Sequence, residues 1–242
     1  MQDALSLFKK LVDLVIPLQC VKCGGLLDTK EGLCTSCWSS ISFISKPYCG
    51  CCGRPFDFEI EDNALCGACS SHSPLFTSAR SVFTYSAESK HLILKFKHTD
   101  SISGAPLFAE WMTRQLEEIK DPLCIPVPLH WTRLFMRTYN QAGLLALEIA
   151  KRKDWTYAPF FLKRKRRTPS QGYLSKIERI KNVENAFLVP EKKKKQLTGK
   201  TVLLVDDVFT TGATLNACTK VLLKNGAKDV HAITLGRVVR GL

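Results

Sequence analysis

Leu5, Phe8, Leu11, Val12 and Val15 repeat at helical spacing, and Pro17 ends the run. A short amphipathic helix is predicted within residues 1–17. From residue 18 to 75 the periodicity fades and cysteine and glycine take over. Such a segment holds too few large apolar residues to fold on burial alone and needs a metal staple. After it, Ala79 to Tyr85 reads as a strand, and His91 to Phe96 fits either its strand partner or a short helix. Leu107 to Ile119 reads as a helix, with Phe108, Trp111, Met112, Leu116 and Ile119 apolar. Leu123 to Pro128 is a short strand, and Tyr139 to Ile149 a helix that packs through Leu144, Leu145, Leu147 and Ile149. Thr168-Pro169-Ser170-Gln171-Gly172 is loop chemistry. Asn185 to Val189 is a short strand candidate. Thr201 to Val205 is an apolar strand of the kind buried on both faces. Thr214 to Lys224 is helical, closed by Asn225-Gly226, and Val230 to Leu235 is a last strand. Strands alternating with helices predict an α/β fold, a mostly parallel sheet with flanking helices. The expected division is a helix at 1–17, a cysteine-rich region at 18–75 and a sheet domain at 76–242.

Charge changes this picture in one respect. The net charge is +13, but residues 1–75 carry −2 and the rest +15. The densest stretch runs from Lys151 to Arg167, and a second from Lys192 to Lys195. Such a surface draws polyanions, either nucleic acid or a phosphorylated small molecule; a solvated face is the plainer reading of the Lys192 run. No run of 18 apolar residues is present, so no membrane span is expected. Asp3 precedes the first apolar segment and Lys9 and Lys10 lie inside it. This is the wrong order for a secretory signal, so a cytoplasmic location is expected.

Of the 11 cysteines, all but Cys124 and Cys218 fall between Cys20 and Cys69. Cys20-x-x-Cys23 with Cys34-x-x-Cys37, and Cys49-x-x-Cys52 with Cys66-x-x-Cys69, each supply four thiolates for a tetrahedral ion. The two sets read as copies of one unit, a double zinc ribbon with two structural zinc sites. Gly24, Gly53 and Gly67 serve the tight turns. Cys49 or Cys51 could be the spare ligand, the pairing could cross between sets, and an iron–sulfur cluster uses the same ligand type. Cys124 and Cys218 read as core residues.

The most specific segment is Thr201 to Leu215. An apolar strand delivers Asp206 and Asp207 to its C-terminal end, where ligands sit in open α/β sheets. Adjacent acids suit a cation or a polyol. Thr210, Thr211 and Thr214 then surround Gly212 at a helix start, and free N–H groups there bind phosphate. A capped helix explains the threonines but not the acids.

This segment resembles the phosphoribosyl-pyrophosphate (PRPP) motif of type I phosphoribosyltransferases, and the chain resembles the ComF family nearly end to end. The other blocks that carry the resemblance are the cysteine-rich region, Pro126 to Gln141, and Arg164 to Gln171 followed by Leu174, Arg179, Asn182 and Ala186-Phe187. Thr138 departs from the family's usual glycine. The resemblance implies that Asp206 and Asp207 hold the ribose hydroxyls. It implies that Val208, Thr210, Thr211, Gly212, Ala213 and Thr214 line the 5-phosphate site, with magnesium bridging ribose and pyrophosphate. Arg164, Arg166, Thr168 and Gln171 match a mobile catalytic loop, with the two arginines catalytic; a basic solvated loop is the alternative. His130, Arg133 and Arg137 are candidates for pyrophosphate or acceptor, or Arg133 and Arg137 form a surface pair with Glu148. Asn140 and Gln141 contact ligand or brace the next helix. The expected function is transfer of phosphoribose from PRPP, or a related ribose 5-phosphate compound, to an unidentified acceptor, linked to DNA uptake and natural transformation. The alternatives are a single-stranded DNA-binding adaptor among competence or recombination proteins, and a regulator that binds PRPP without turnover.

Overall fold

The structure, a computed structural model, describes residues 18–27, 32–98, 104–116, 119–129, 139–165, 178 and 183–239. The predicted N-terminal helix, His130, Arg133, Arg137, Thr138, Arg166, Thr168 and Gln171 lie outside the described residues.

A five-stranded sheet organises the chain. Its strands are β1 (Ser78–Thr84), β2 (Leu123–Pro126), β3 (Thr156–Tyr157), β6 (Thr201–Phe209) and β7 (Asp229–Arg237), in the order β1-β7-β6-β2-β3. All its pairings are parallel. A separate antiparallel pair joins β4 (Lys163–Arg164) to β5 (Phe187–Leu188). The helices are α1 (Thr35–Ser39), α2 (Gly67–Ser71), α3 (Ala87–His98), α4 (Ala105–Thr113), α5 (Gln141–Lys153), α6 (Glu191–Leu197) and α7 (Ala213–Lys224).

β6 is the centre because both of its faces are apolar. Val202 and Leu204 point into one core, with Leu215, Cys218 and Leu222 of α7. Leu203 and Val205 point into the other, with Leu92, Phe108, Leu145 and Ile149 of α3, α4 and α5. Each fully buried Leu or Val stabilises by roughly 1.5–3 kcal/mol. The two helices after β2 and β6 therefore lie on opposite faces: α5 on one, α7 on the other.

The structure redraws two elements and assigns two more segments. The His91–Phe96 segment, open between strand and helix, belongs to a helix, α3. The Leu107–Ile119 helix is shorter, ending at Thr113. β6 runs to Phe209 and takes Asp206 and Asp207 within it, because β7 supplies hydrogen-bond partners as far as Arg237. The lysine run at 192–195 forms α6, in which Lys194 pairs with Glu191 at 2.6 Å.

The cysteine region is not a free-standing appendage. Cys20, Leu33, Cys37 and Ile41 join the core under α3–α5. Cys49, Cys52, Cys66 and Cys69 join the core under α7. The ribbon thus shares the sheet's two cores, which is how a segment short of apolar residues finds enough to bury.

Candidate functional site

Where successive crossovers leave a parallel sheet in opposite directions, a crevice opens beyond the strands' C-terminal ends. Here that place lies between β2 and β6. Pairing on the β2 side stops early: Pro126 registers with Val205, and the Val127 N–H donates to the Val205 carbonyl at 2.9 Å. On the other side β7 continues, with Asp206 opposite Thr234 and Phe209 opposite Arg237. Asp206 and Asp207 therefore stand on a half-paired overhang at the crevice. Both are partly exposed, and the Asp207 N–H donates to Asp206 Oδ1 at 2.9 Å.

The chain then turns through Thr210 and Thr211 into Gly212, the N-cap of α7. Gly212 has φ 77°, a left-handed backbone that favours glycine. A Cβ there would also lie 3.0 Å from Phe209 Cζ. Thr211 Oγ1 accepts from the Ala213 N–H at 3.4 Å. The first-turn N–H groups of α7 have no carbonyl partner inside the helix. α5 starts at the same crevice, beyond β2. Neither helix has an acidic residue in its first turn, so both positive dipole ends face the space beside the acids unopposed from their own helix.

Asn140 is the N-cap of α5 but makes no cap bond with its side chain; its Nδ2 donates to the Val127 carbonyl at 3.2 Å. It braces the end of β2 against α5. Gln141 is buried, at 2% exposure. Arg164 lies in β4, its guanidinium 5.3 Å from the Phe187 ring centroid. Burial pushes the Cys218 thiol well above its usual range. Asp206 adds to that shift and Arg164 opposes it. Both charges are thus felt at the same point of α7. Cys124 is likewise a buried thiol, pushed up to about 12 mainly by burial.

The cysteines settle into two sets. Cys20, Cys23, Cys34 and Cys37 bring their Sγ atoms within 4.8 Å of one another, and so do Cys49, Cys52, Cys66 and Cys69. Cys23 and Cys34 Sγ are 3.8 Å apart, and Cys52 and Cys66 Sγ 3.7 Å. A tetrahedral ion with bonds of ~2.3 Å sets its thiolates about 3.8 Å apart. The spacing suits one zinc per set; the thiolates of a polynuclear iron–sulfur cluster, bound to separate irons, stand farther apart. Cys51 belongs to neither set, and its Sγ lies 4.0 Å from the Phe76 carbonyl oxygen. The sets repeat in detail. Cys20 N–H bonds the Gly25 carbonyl as Cys49 N–H bonds that of Arg54. Cys34 and Cys66 occupy matching N-caps of α1 and α2.

Arg237 and Phe209 were not foreseen. Arg237 is buried at the end of β7 and reaches Cys52, while Phe209 lies beneath Gly212. The available signal was an arginine two residues past the apolar run Val230–Leu235.

Two family models match: the double zinc ribbon domain over residues 11–70 and the phosphoribosyl transferase domain over residues 142–238. Among curated relatives, competence protein F of Haemophilus influenzae is 32% identical, covering 90% of this chain and 96% of that protein. Competence protein ComFC of Bacillus subtilis is 30% identical over 88% of this chain and 87% of its own length. The DNA utilization protein YhgH of Shigella flexneri is 29% identical over 86% and 91%. With a double zinc ribbon joined to a phosphoribosyltransferase-type sheet, and identity at this level across most of both chains, the chain belongs to the ComF family.

Proposed function

We propose that the chain binds PRPP at the crevice between β2 and β6 and transfers its phosphoribose to an acceptor, in the service of DNA uptake or use. The observation that carries this reading is the overhang of β6. It sets two adjacent carboxylates directly before a left-handed glycine turn and a helix start. Asp206 and Asp207 accept hydrogen bonds from the ribose hydroxyls. Thr210, Thr211, Gly212, Ala213 and Thr214 wrap the 5-phosphate, with the α7 dipole favouring the anion. The C1–oxygen bond breaks and its electron pair leaves with pyrophosphate. The cation-like C1 takes a lone pair from the acceptor, which then sheds a proton. The oxygen donors of Asp206 and Asp207 suit magnesium, which offsets charge on the pyrophosphate when bound. β4 carries Arg164, and Arg166, Thr168 and Gln171 follow it in sequence; the two arginines add positive charge for the leaving group. His130, Arg133 and Arg137 follow β2 in sequence, which suits the pyrophosphate or acceptor side. The names of the relatives, competence and DNA utilization proteins, support the link to DNA.

Release of pyrophosphate from PRPP and magnesium, measured with a panel of nucleobase and amine acceptors, tests turnover. Release that stops in Asp206→Asn/Asp207→Asn supports the reading. PRPP binding with no release from any acceptor points to a regulator in place of an enzyme.

A second reading has one observation in its favour. Phe160 is 69% exposed, Lys163 of β4, Lys165 just after it, and Lys192 and Lys195 of α6 are exposed, and Lys193 of α6 lies over the ring of the adjacent Phe161 at 5.0 Å. A ring among lysines is the pattern of a single-strand platform. Oligothymidine binding that weakens steeply with salt, and with Phe160→Ala, supports it.

A further inference from the structure

Arg237 ends β7 on the same edge of the sheet as the turn at Gly212, yet only 6% of it is exposed. A buried guanidinium needs partners in place of water. Nη1 and Nη2 find theirs at Cys52 of the second cysteine set, while Nε is buried without one among the described residues. Nη1 donates to the Cys52 carbonyl at 2.6 Å and Nη2 to Cys52 Sγ at 3.1 Å. Four thiolates on one dication carry net negative charge, so the metal-loaded set is a fitting counter-charge. The guanidinium also lies 4.1 Å from the Phe209 ring centroid, a cation–π contact. Phe209 is fixed opposite Arg237 in the register, and its carbonyl accepts from the Val238 N–H at 2.9 Å. Its ring is the surface on which Gly212 rests, as the 3.0 Å approach to a Cβ shows. A continuous column therefore runs from Cys52 through Arg237 and Phe209 to Gly212.

We infer that Arg237 is a positioning residue through which the second cysteine set fixes the shape of the turn at Gly212. Anion binding at the turn then depends on metal at that set. The first set lies under the opposite face of the sheet and has no such column among the described residues. The inference rests on the proposed reading of the turn as a phosphate site, but the shape of the turn can be measured without ligand.

The test uses the zinc-loaded full chain and three measurements: zinc content, amide hydrogen exchange over Phe209–Leu215, and calorimetric affinity for ribose 5-phosphate. Arg237→Met is expected to speed exchange over Phe209–Leu215 while leaving β1 and β2 unchanged. It is also expected to weaken ribose 5-phosphate by about 10- to 100-fold, the usual cost of losing a group that supports a metal ligand or site. Arg237→Lys is expected to recover part of both effects. Cys23→Ser is expected to lose one zinc and leave the turn unchanged. If Arg237→Met does not fold, Phe209→Leu breaks the same column without touching Cys52, and the same local rise in exchange is expected. Unchanged exchange at the turn, an equal rise across β1 and β2, or an equal effect from Cys23→Ser overturns the inference. If the wild type binds no ribose 5-phosphate, the phosphate reading fails, and exchange alone still decides the coupling.

Discussion

The first cysteine set leaves Cys23 exposed and Cys34 half-exposed, whereas the second buries all four of its cysteines. Their first knuckles share the same backbone hydrogen bonds, and Cys34 and Cys66 are matching helix N-caps. Their surroundings differ. The first packs beside α3, α4 and α5, with Trp38 stacked on Phe43 at 4.5 Å and edge-on to Trp111 at 6.1 Å. The second packs beneath α7 and is hydrogen-bonded to Arg237 at the site edge of the sheet. The same metal knuckle is thus built into both faces of the sheet, partly open on one and fully buried on the other.

The largest expected contrast comes from removing one ligand in each set. Cys52→Ser and Cys23→Ser should each lower the zinc content by one. Cys52→Ser should cost roughly 4 kcal/mol more in stability, a difference of about 10 °C in midpoint at this size. Equal midpoints in thermal unfolding would erase the distinction between the sets.

The knuckle glycines sharpen the same contrast. Gly24 and Gly53 have similar left-handed backbones, at φ +80° and +69°. A Cβ on Gly24 meets nothing within 4 Å, while one on Gly53 meets the Ala79 carbonyl oxygen at 2.5 Å. Gly24→Ala should therefore cost about 1 kcal/mol, from the backbone alone. Gly53→Ala should cost roughly 3 kcal/mol or more, because β1 must shift as well. Denaturant unfolding of the two variants checks this, and equal costs would show that β1 does not constrain the second knuckle.

The smallest effect is expected at Cys51. It lies next to a ligand in sequence but outside both sets, so Cys51→Ala should keep both zincs and cost less than about 1 kcal/mol. Loss of one zinc would move Cys51 into the ligand set and change the pairing.

The sequence made local features legible. The x-x spacing within each cysteine pair, the apolar run Val202–Val205 and the glycine after Thr211 are all signals within a few residues. The sheet and both metal sets followed from them. What stayed hidden depends on distance along the chain. Arg237 and Cys52 are 185 residues apart, and nothing near either one names the other. The strands β3 and β4 have two residues each, too few for a period. The extent of β6 was set by its neighbour β7, so the acids at 206 and 207 read as lying past the strand end. Asn140 could be narrowed to ligand contact or bracing, and only the position of the Val127 carbonyl shows the bracing.

Calorimetric titration of the zinc-loaded chain with PRPP and magnesium tests the central claim, that the crevice between β2 and β6 holds the ribose 5-phosphate end of PRPP. The account predicts saturable binding tighter than about 1 mM. It predicts that Asp206→Asn/Asp207→Asn abolishes this binding while both zincs remain. No binding at millimolar PRPP, or equal binding by that variant, would contradict it.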